Sequence, residues 1–174
     1  MRKIYVLLMH TNTLPSKLIK IATHSEYSHI GLSLDKSCNK IYSFGRKTLR
    51  AVWNAGFTID DKNGEFFRIF NKTKCKIYEI EVTEQQYKNV ENILQDMKSN
   101  SKLYKYDFFC LIPRYFGIPI TLKNRYVCSY FVAQVLERAK IHKFNKNTCL
   151  VIPKDFENIY EFQEIYQGNY TLYK

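Results

Sequence analysis

The strongest constraint on the fold of this chain is a change in its hydrophobic rhythm. Before about residue 83 apolar residues alternate or sit in short blocks, and after it they recur every three to four residues. The first pattern suits strands and the second suits helices. Lys3–Met9 is a β-branched, apolar run that reads as a buried strand. Leu14, Leu18 and Ile21 predict a short helix opened by Pro15 and ending near Thr23. From Tyr27 to Leu34, Ile30, Leu32 and Leu34 point one way and His29, Gly31 and Ser33 the other, giving a half-buried strand. A polar turn over residues 35–40 leads to a returning strand at Ile41–Phe44, a hairpin. The stretch containing Gly56 and Asn63-Gly64 reads as irregular, and strands are expected at Glu65–Phe70 and Lys76–Val82.

Thr83 and Gln86 form a capping box, after which Tyr87, Val90, Leu94 and Met97 predict a helix over 84–99. Tyr106–Phe116 reads as a helix interrupted at Pro113, Val127–Ala139 as another with Phe131, Val132, Val135 and Leu136 on one stripe, and Ile152–Phe156 as a final helical turn. Strands early and helices late predict an α+β fold. At 174 residues, without linker or repeat, the chain is expected to be one domain over residues 1–174.

Charge and cysteine content narrow the function classes. The net charge is +11, but 20 of the 27 cations are Lys, they are scattered, and 13 Asn accompany them. Readers of nucleic acid favour clustered Arg, so specific nucleic-acid binding ranks last among the readings. No apolar run approaches the ~20 residues of a membrane span, and the apolar stretch after Met1-Arg-Lys is shorter than the ~7–15 residues of a secretion signal, so a cytoplasmic protein is expected. Five cysteines with no C-x-x-C spacing argue against a disulfide framework or thiolate zinc site; neither metal nor cofactor is expected.

Four of those cysteines lack a reactive setting. Cys38 lies in a polar turn, Cys75 opens a strand among lysines, Cys110 is embedded in Phe108-Phe109-Cys110-Leu111-Ile112, and Cys149 sits in a late loop. Cys128 stands at the first turn of a helix, after Arg125-Tyr126, where the helix's positive end favours a thiolate. Read from its position alone it is first a small buried residue on a helix's inner stripe. His29 projects from the strand face opposite Ile30, Leu32 and Leu34, as a solvated side chain or as a base beside a groove. His10 and His24 end elements as surface caps, and His142 lies in a Lys-rich loop.

Taken together, Glu26-Tyr-Ser-His29-Ile-Gly-Leu-Ser-Leu34, Lys40-Ile-Tyr-Ser-Phe-Gly-Arg46 and Cys128-Ser-Tyr-Phe-Val-Ala-Gln-Val-Leu136 resemble the circularly permuted, papain-like cysteine hydrolases, the YiiX-like relatives of the NlpC-type peptidases. The order His then Cys is that of the permuted branch, and Val151-Ile-Pro-Lys-Asp-Phe156 resembles its Pro-x-Asp-Phe element. The resemblance covers about residues 4–160. It implies a small antiparallel sheet with the cysteine helix packed on it and His29 leaning over the helix start. Cys128 would be the nucleophile and His29 the base, paired as thiolate and imidazolium, with the backbone N–H groups of Cys128 and Ser129 facing a developing oxyanion.

Relatives carry a polar orienting residue on the next strand, where this chain has no carboxylate. Ser43 occupies the matching slot; a one-residue slip in hairpin register would bring Tyr42 and Arg46 to His29's side instead. The implied activity is hydrolysis or acyl transfer at an amide, peptide or ester bond, with a peptide, amide or lipid-acyl substrate. The aromatics between Tyr104 and Tyr130 are candidates for core packing or for lining a groove. A non-catalytic binding module on the same fold is the alternative. Nothing in the sequence bears on oligomeric state.

Overall fold

The computed structural model describes residues 1–11, 25–48 and 53–174; the expected helix at 14–23 and His24 lie outside the described residues. Alternating and β-branched residues build an eight-stranded sheet: β1 (Arg2–His10), β2 (His29–Ser33), β3 (Lys40–Arg46), β4 (Ala55–Asp61), β5 (Lys74–Val82), β6 (Lys105–Tyr106), β7 (Arg125–Tyr126) and β8 (Gln163–Asn169). Their order is β7-β6-β4-β3-β2-β1-β5-β8. Every neighbouring pair is antiparallel except β6 and β7. The α-helices among the described residues are α1 (Glu65–Ile69), α2 (Glu84–Ser99), α3 (Leu111–Tyr115) and α4 (Cys128–Arg138). The α+β class holds, and none of these helices is long and apolar enough to cross a membrane.

Strand parity splits the core in two. Ile30, Leu32 and Phe44 face the larger cluster, where the inner stripes of α2 and α4 (Tyr87, Val90 and Leu94; Phe131, Val132 and Leu136) cover the sheet. Leu7, Met9, Ile41 and Ile77 face a second cluster closed by Phe67 of α1 and by Tyr170. Tyr170 donates its phenol hydrogen to the Cys38 carbonyl at 2.7 Å, tying the C-terminal turn to the β2–β3 hairpin. The capping box is formed: the Gln86 N–H donates to Thr83 Oγ1 at 3.2 Å and the Thr83 N–H to Gln86 Oε1 at 2.9 Å.

Several expectations need correction. Residues 65–69 are helix α1 rather than a strand: Phe67 is buried and Phe66 packs part-buried on the same cluster, while Glu65, Arg68 and Ile69 are exposed, which is no strand alternation. The supposedly irregular stretch contains β4, which pairs along its whole length with β3, from Lys40↔Asp61 to Arg46↔Ala55. The helix expected over 106–116 shrinks to α3, because Tyr106 is drawn into β6. His10 is buried rather than a surface cap, its Nδ1 3.2 Å from Ser28 Oγ.

Candidate active site

Cys128 is the first residue of α4, and its placement has three supports. Val127 caps the helix with extended backbone but no side-chain bond, so the first turn is held from elsewhere. Ser129 donates its hydroxyl to the Val151 carbonyl at 2.6 Å, and the Ile152 N–H donates to Asp155 Oδ2 at 2.7 Å. The Pro153–Phe156 turn is thereby clamped beside the helix start, with Phe156 fully buried behind it. Phe131, one helical turn on, anchors the helix between Phe44 and Phe57 at ring distances of 5.2 and 5.9 Å.

His29 opens β2, and the hairpin register is set by Leu32 opposite Tyr42. Continued outward, that register puts Gly45 across from His29, where a Cβ would lie 3.5 Å from His29 Cε1. A larger residue at 45 would therefore press on the imidazole. Ser43 lies on the same strand face as Gly45, with its Oγ 3.0 Å from His29 Nε2. The Ser43 hydroxyl hydrogen is already donated to the Ile30 carbonyl at 2.7 Å. A serine has one such hydrogen, so Nε2 must carry the imidazole hydrogen and donate it to Ser43, leaving Nδ1 as the basic nitrogen. Tyr42 packs instead on the larger core. Arg46 does act on His29, as a repelling cation.

His29 and Ser43 meet directly, on the sheet face that also carries Met9 and Ile41, whereas Cys128 lies in the larger cluster with Ile30 and Phe44. Ile30 stands between them: its carbonyl accepts from Ser43, its backbone N–H favours the Cys128 thiolate, and His29 precedes it in the chain. Backbone N–H groups of Ser129 and of Cys128 itself also favour the thiolate. No hydrogen bond joins Cys128 to His29 among the described residues.

Burial outweighs the helix end. It pushes the Cys128 thiol above the ordinary cysteine value, the three backbone bonds opposing it only in part. Burial and then Arg46 push His29 down to about 4. The resting pair at neutral pH is therefore thiol and neutral imidazole, not the thiolate–imidazolium pair expected from sequence. Among the described residues no carboxylate is one of the groups acting on His29. The remaining cysteines are buried and free, including Cys38, which the sequence placed in a polar turn.

The depressed histidine makes stability pH-dependent. Above about pH 6.5 His29 is neutral folded and unfolded; as pH falls toward 4 only the unfolded chain takes the proton, so stability is lost. At 1.36 kcal/mol per unit the loss reaches about 3 kcal/mol. Asp60, raised by burial to about 6, acts oppositely in much the same window. Denaturant titrations of wild type and His29→Gln isolate the histidine: the difference in stability between them should change by about 3 kcal/mol between pH 7 and pH 4.

Tyr106 is one of the aromatics between Tyr104 and Tyr130 that the sequence offers as core or groove lining. Its part-buried phenol is pushed upward by desolvation and then by Cys128. It also lines a cleft of about 480 Å³ with Trp53, Phe108, Phe109, Lys105 and Arg125. Trp53 meets Phe108 edge-on at 5.4 Å, and the Arg125 guanidinium lies 5.3 Å from the Phe109 ring centre. Tyr106 is thus common to an aromatic-walled cleft with two cations and to the groups that act on Cys128.

The fold, an α+β arrangement of an eight-stranded sheet with packed helices, is shared with a solved structure. A crystal structure of the metalloprotein YiiX from Escherichia coli O157:H7 matches it with a TM-score of 0.57 over 96% of this chain and 97% of that one, at 16% sequence identity. The likeness is one of fold. No family model matches the sequence, and no curated protein does.

Proposed function

We propose that the protein is a thiol-dependent hydrolase or acyltransferase on a circularly permuted papain-like fold, cleaving an amide, peptide or ester bond. The observation that supports the reading is that Ile30 links the two groups: its carbonyl accepts from Ser43, whose hydroxyl lies 3.0 Å from His29 Nε2, and its backbone N–H favours the Cys128 thiolate. In the proposed reaction Cys128 attacks the substrate carbonyl carbon while its proton passes to His29 Nδ1. The oxyanion is held by the N–H groups of Cys128 and Ser129. Collapse expels the amine or alcohol, which takes the proton from His29, and leaves a thioester on Cys128. Water, or an acceptor hydroxyl or amine, then attacks the thioester with His29 again as base.

Because the pair rests neutral, attack and proton transfer are coupled rather than preceded by ion-pair formation. The same neutral pair, lacking a carboxylate behind the histidine, favours the second reading: a binding module in which the residues only pack. YiiX is described as a metalloprotein. Among the described residues of this chain no three His, Cys, Asp or Glu side chains converge as a metal ion needs, so the donor set does not fit and no step runs through a metal.

Trapping separates the two readings. With an activated acetyl ester, peptide mass mapping should find one acetyl group on Cys128 ahead of the other four cysteines, and none there in Cys128→Ala. Slow, equal acetylation of all five would mean a binding module.

A further inference from the structure

We propose that residues 109–123 dock the protein on the surface of an anionic lipid bilayer, alongside the aromatic cleft. Every residue from Tyr115 to Lys123 is exposed, and the apolar side chains there have no cover: Phe109 and Ile112 are 72% exposed, Phe116 71% and Tyr115 66%. Ile118 and Ile120 continue the surface. A contiguous apolar display of this kind marks an interaction site.

The display is built rather than left over. The Arg114 guanidinium donates to the buried Asp107 Oδ2 at 2.7 Å and to the Ile120 carbonyl at 3.1 Å, tying the middle of the segment to the body and closing it on itself. Gly117 turns the chain at φ +76°, and the Ile118 N–H closes the turn on the Pro113 carbonyl at 3.0 Å.

Charge selects the occupant. Between residues 102 and 125 there are five cations (Lys102, Lys105, Arg114, Lys123 and Arg125) and one acid. That acid, Asp107, is fully buried against Arg114, whose side chain is itself only 6% exposed, so this stretch of surface offers apolar groups and the four other cations but no anion. Aromatic and aliphatic side chains ringed by Lys and Arg suit the headgroup boundary of an anionic membrane. A second copy fits poorly, since a two-fold contact would set these cations against themselves. The inference is independent of catalysis at Cys128.

Flotation with vesicles of phosphatidylcholine alone, or mixed with phosphatidylserine, tests it. The full chain should float with the anionic vesicles and much less with the neutral ones. Emission from Trp53, the sole tryptophan and 82% exposed beside Phe108, should shift to the blue on binding. Ile112→Ser with Phe116→Ser, at sites outside the core, should weaken binding roughly tenfold or more while leaving the melting temperature unchanged. Lys123→Glu should weaken it and flatten its salt dependence. No flotation with anionic vesicles, or flotation indifferent to the double serine substitution, would overturn the proposal. So would self-association that the same substitution abolishes without any vesicle binding, which would make a second copy the occupant.

Discussion

Replacing His29 with glutamine should slow acylation of Cys128 by about 10²–10⁴-fold, the usual contribution of a positioned base. Glutamine retains a polar group near Ser43 but cannot take a proton. The loss should be large here because the Cys128 thiol is pushed up by burial and has little thiolate to fall back on at neutral pH. The pH profile is the sharper readout. With His29 held at about 4, the acid limb of kcat/KM should lie near pH 4, well below the 6.5 of an ordinary histidine. Arg46→Gln removes the nearby cation and should move that limb upward. Ser43→Ala deletes the acceptor that fixes the tautomer; at about 1 kcal/mol for one neutral hydrogen bond the cost is only about fivefold. An acid limb that stays near pH 4 in His29→Gln would assign the titration to another group and remove His29 from the mechanism.

The difference between legible and hidden features runs along the range of the interactions that made them. The capping box of α2, the inner stripe of α4 and the strand β2 are local, and each appears where its pattern lies, although β2 is buried on both faces rather than half-buried. β4 is not local. Gly56 and two aspartates make it look like a turn region, yet full pairing with β3 draws it into the sheet. At Glu65–Ile69 a short aromatic run fits either period, and one buried Phe decides for helix. β8 carries an only half-buried mixture of polar and aromatic residues, a weak signal rescued by pairing with β5.

The site divides the same way. His29 and Cys128 were legible because each opens a regular element, and Ser43 because it follows the hairpin. Their protonation was not, since the helix terminus is a sequence feature whereas the burial that overrides it comes from packing. Tyr106 and its cleft depend on two-residue strands that bring residues 53–55, 105–109 and 125 together, which no local pattern announces.

Phe131→Ala should lower stability by about 3–5 kcal/mol, the usual cost of deleting a fully buried phenyl ring. For a chain of this length that corresponds to a melting temperature lower by roughly 10 °C or more. The ring sits where α4 crosses β3 and β4, against Phe44 and Phe57, so its loss opens a cavity among stiff aromatic walls that collapse poorly. Tyr130, its neighbour in sequence, stacks on Tyr126 at 4.9 Å but stays partly exposed. Tyr130→Ala should cost much less, about 1 kcal/mol. The consequence for the site follows from the cap. Without a side-chain bond at Val127, the first turn of α4 relies on Phe131 and on the Ser129–Val151 bond to stay on the sheet. Loss of the ring should therefore free the helix start before the whole domain unfolds. Cys128, only 6% exposed in the native protein, should alkylate with iodoacetamide faster in Phe131→Ala than in Tyr130→Ala under conditions where both remain folded. Equal alkylation rates would place the anchor of the cysteine elsewhere, in the clamp formed by Ser129 and the Pro153–Phe156 turn.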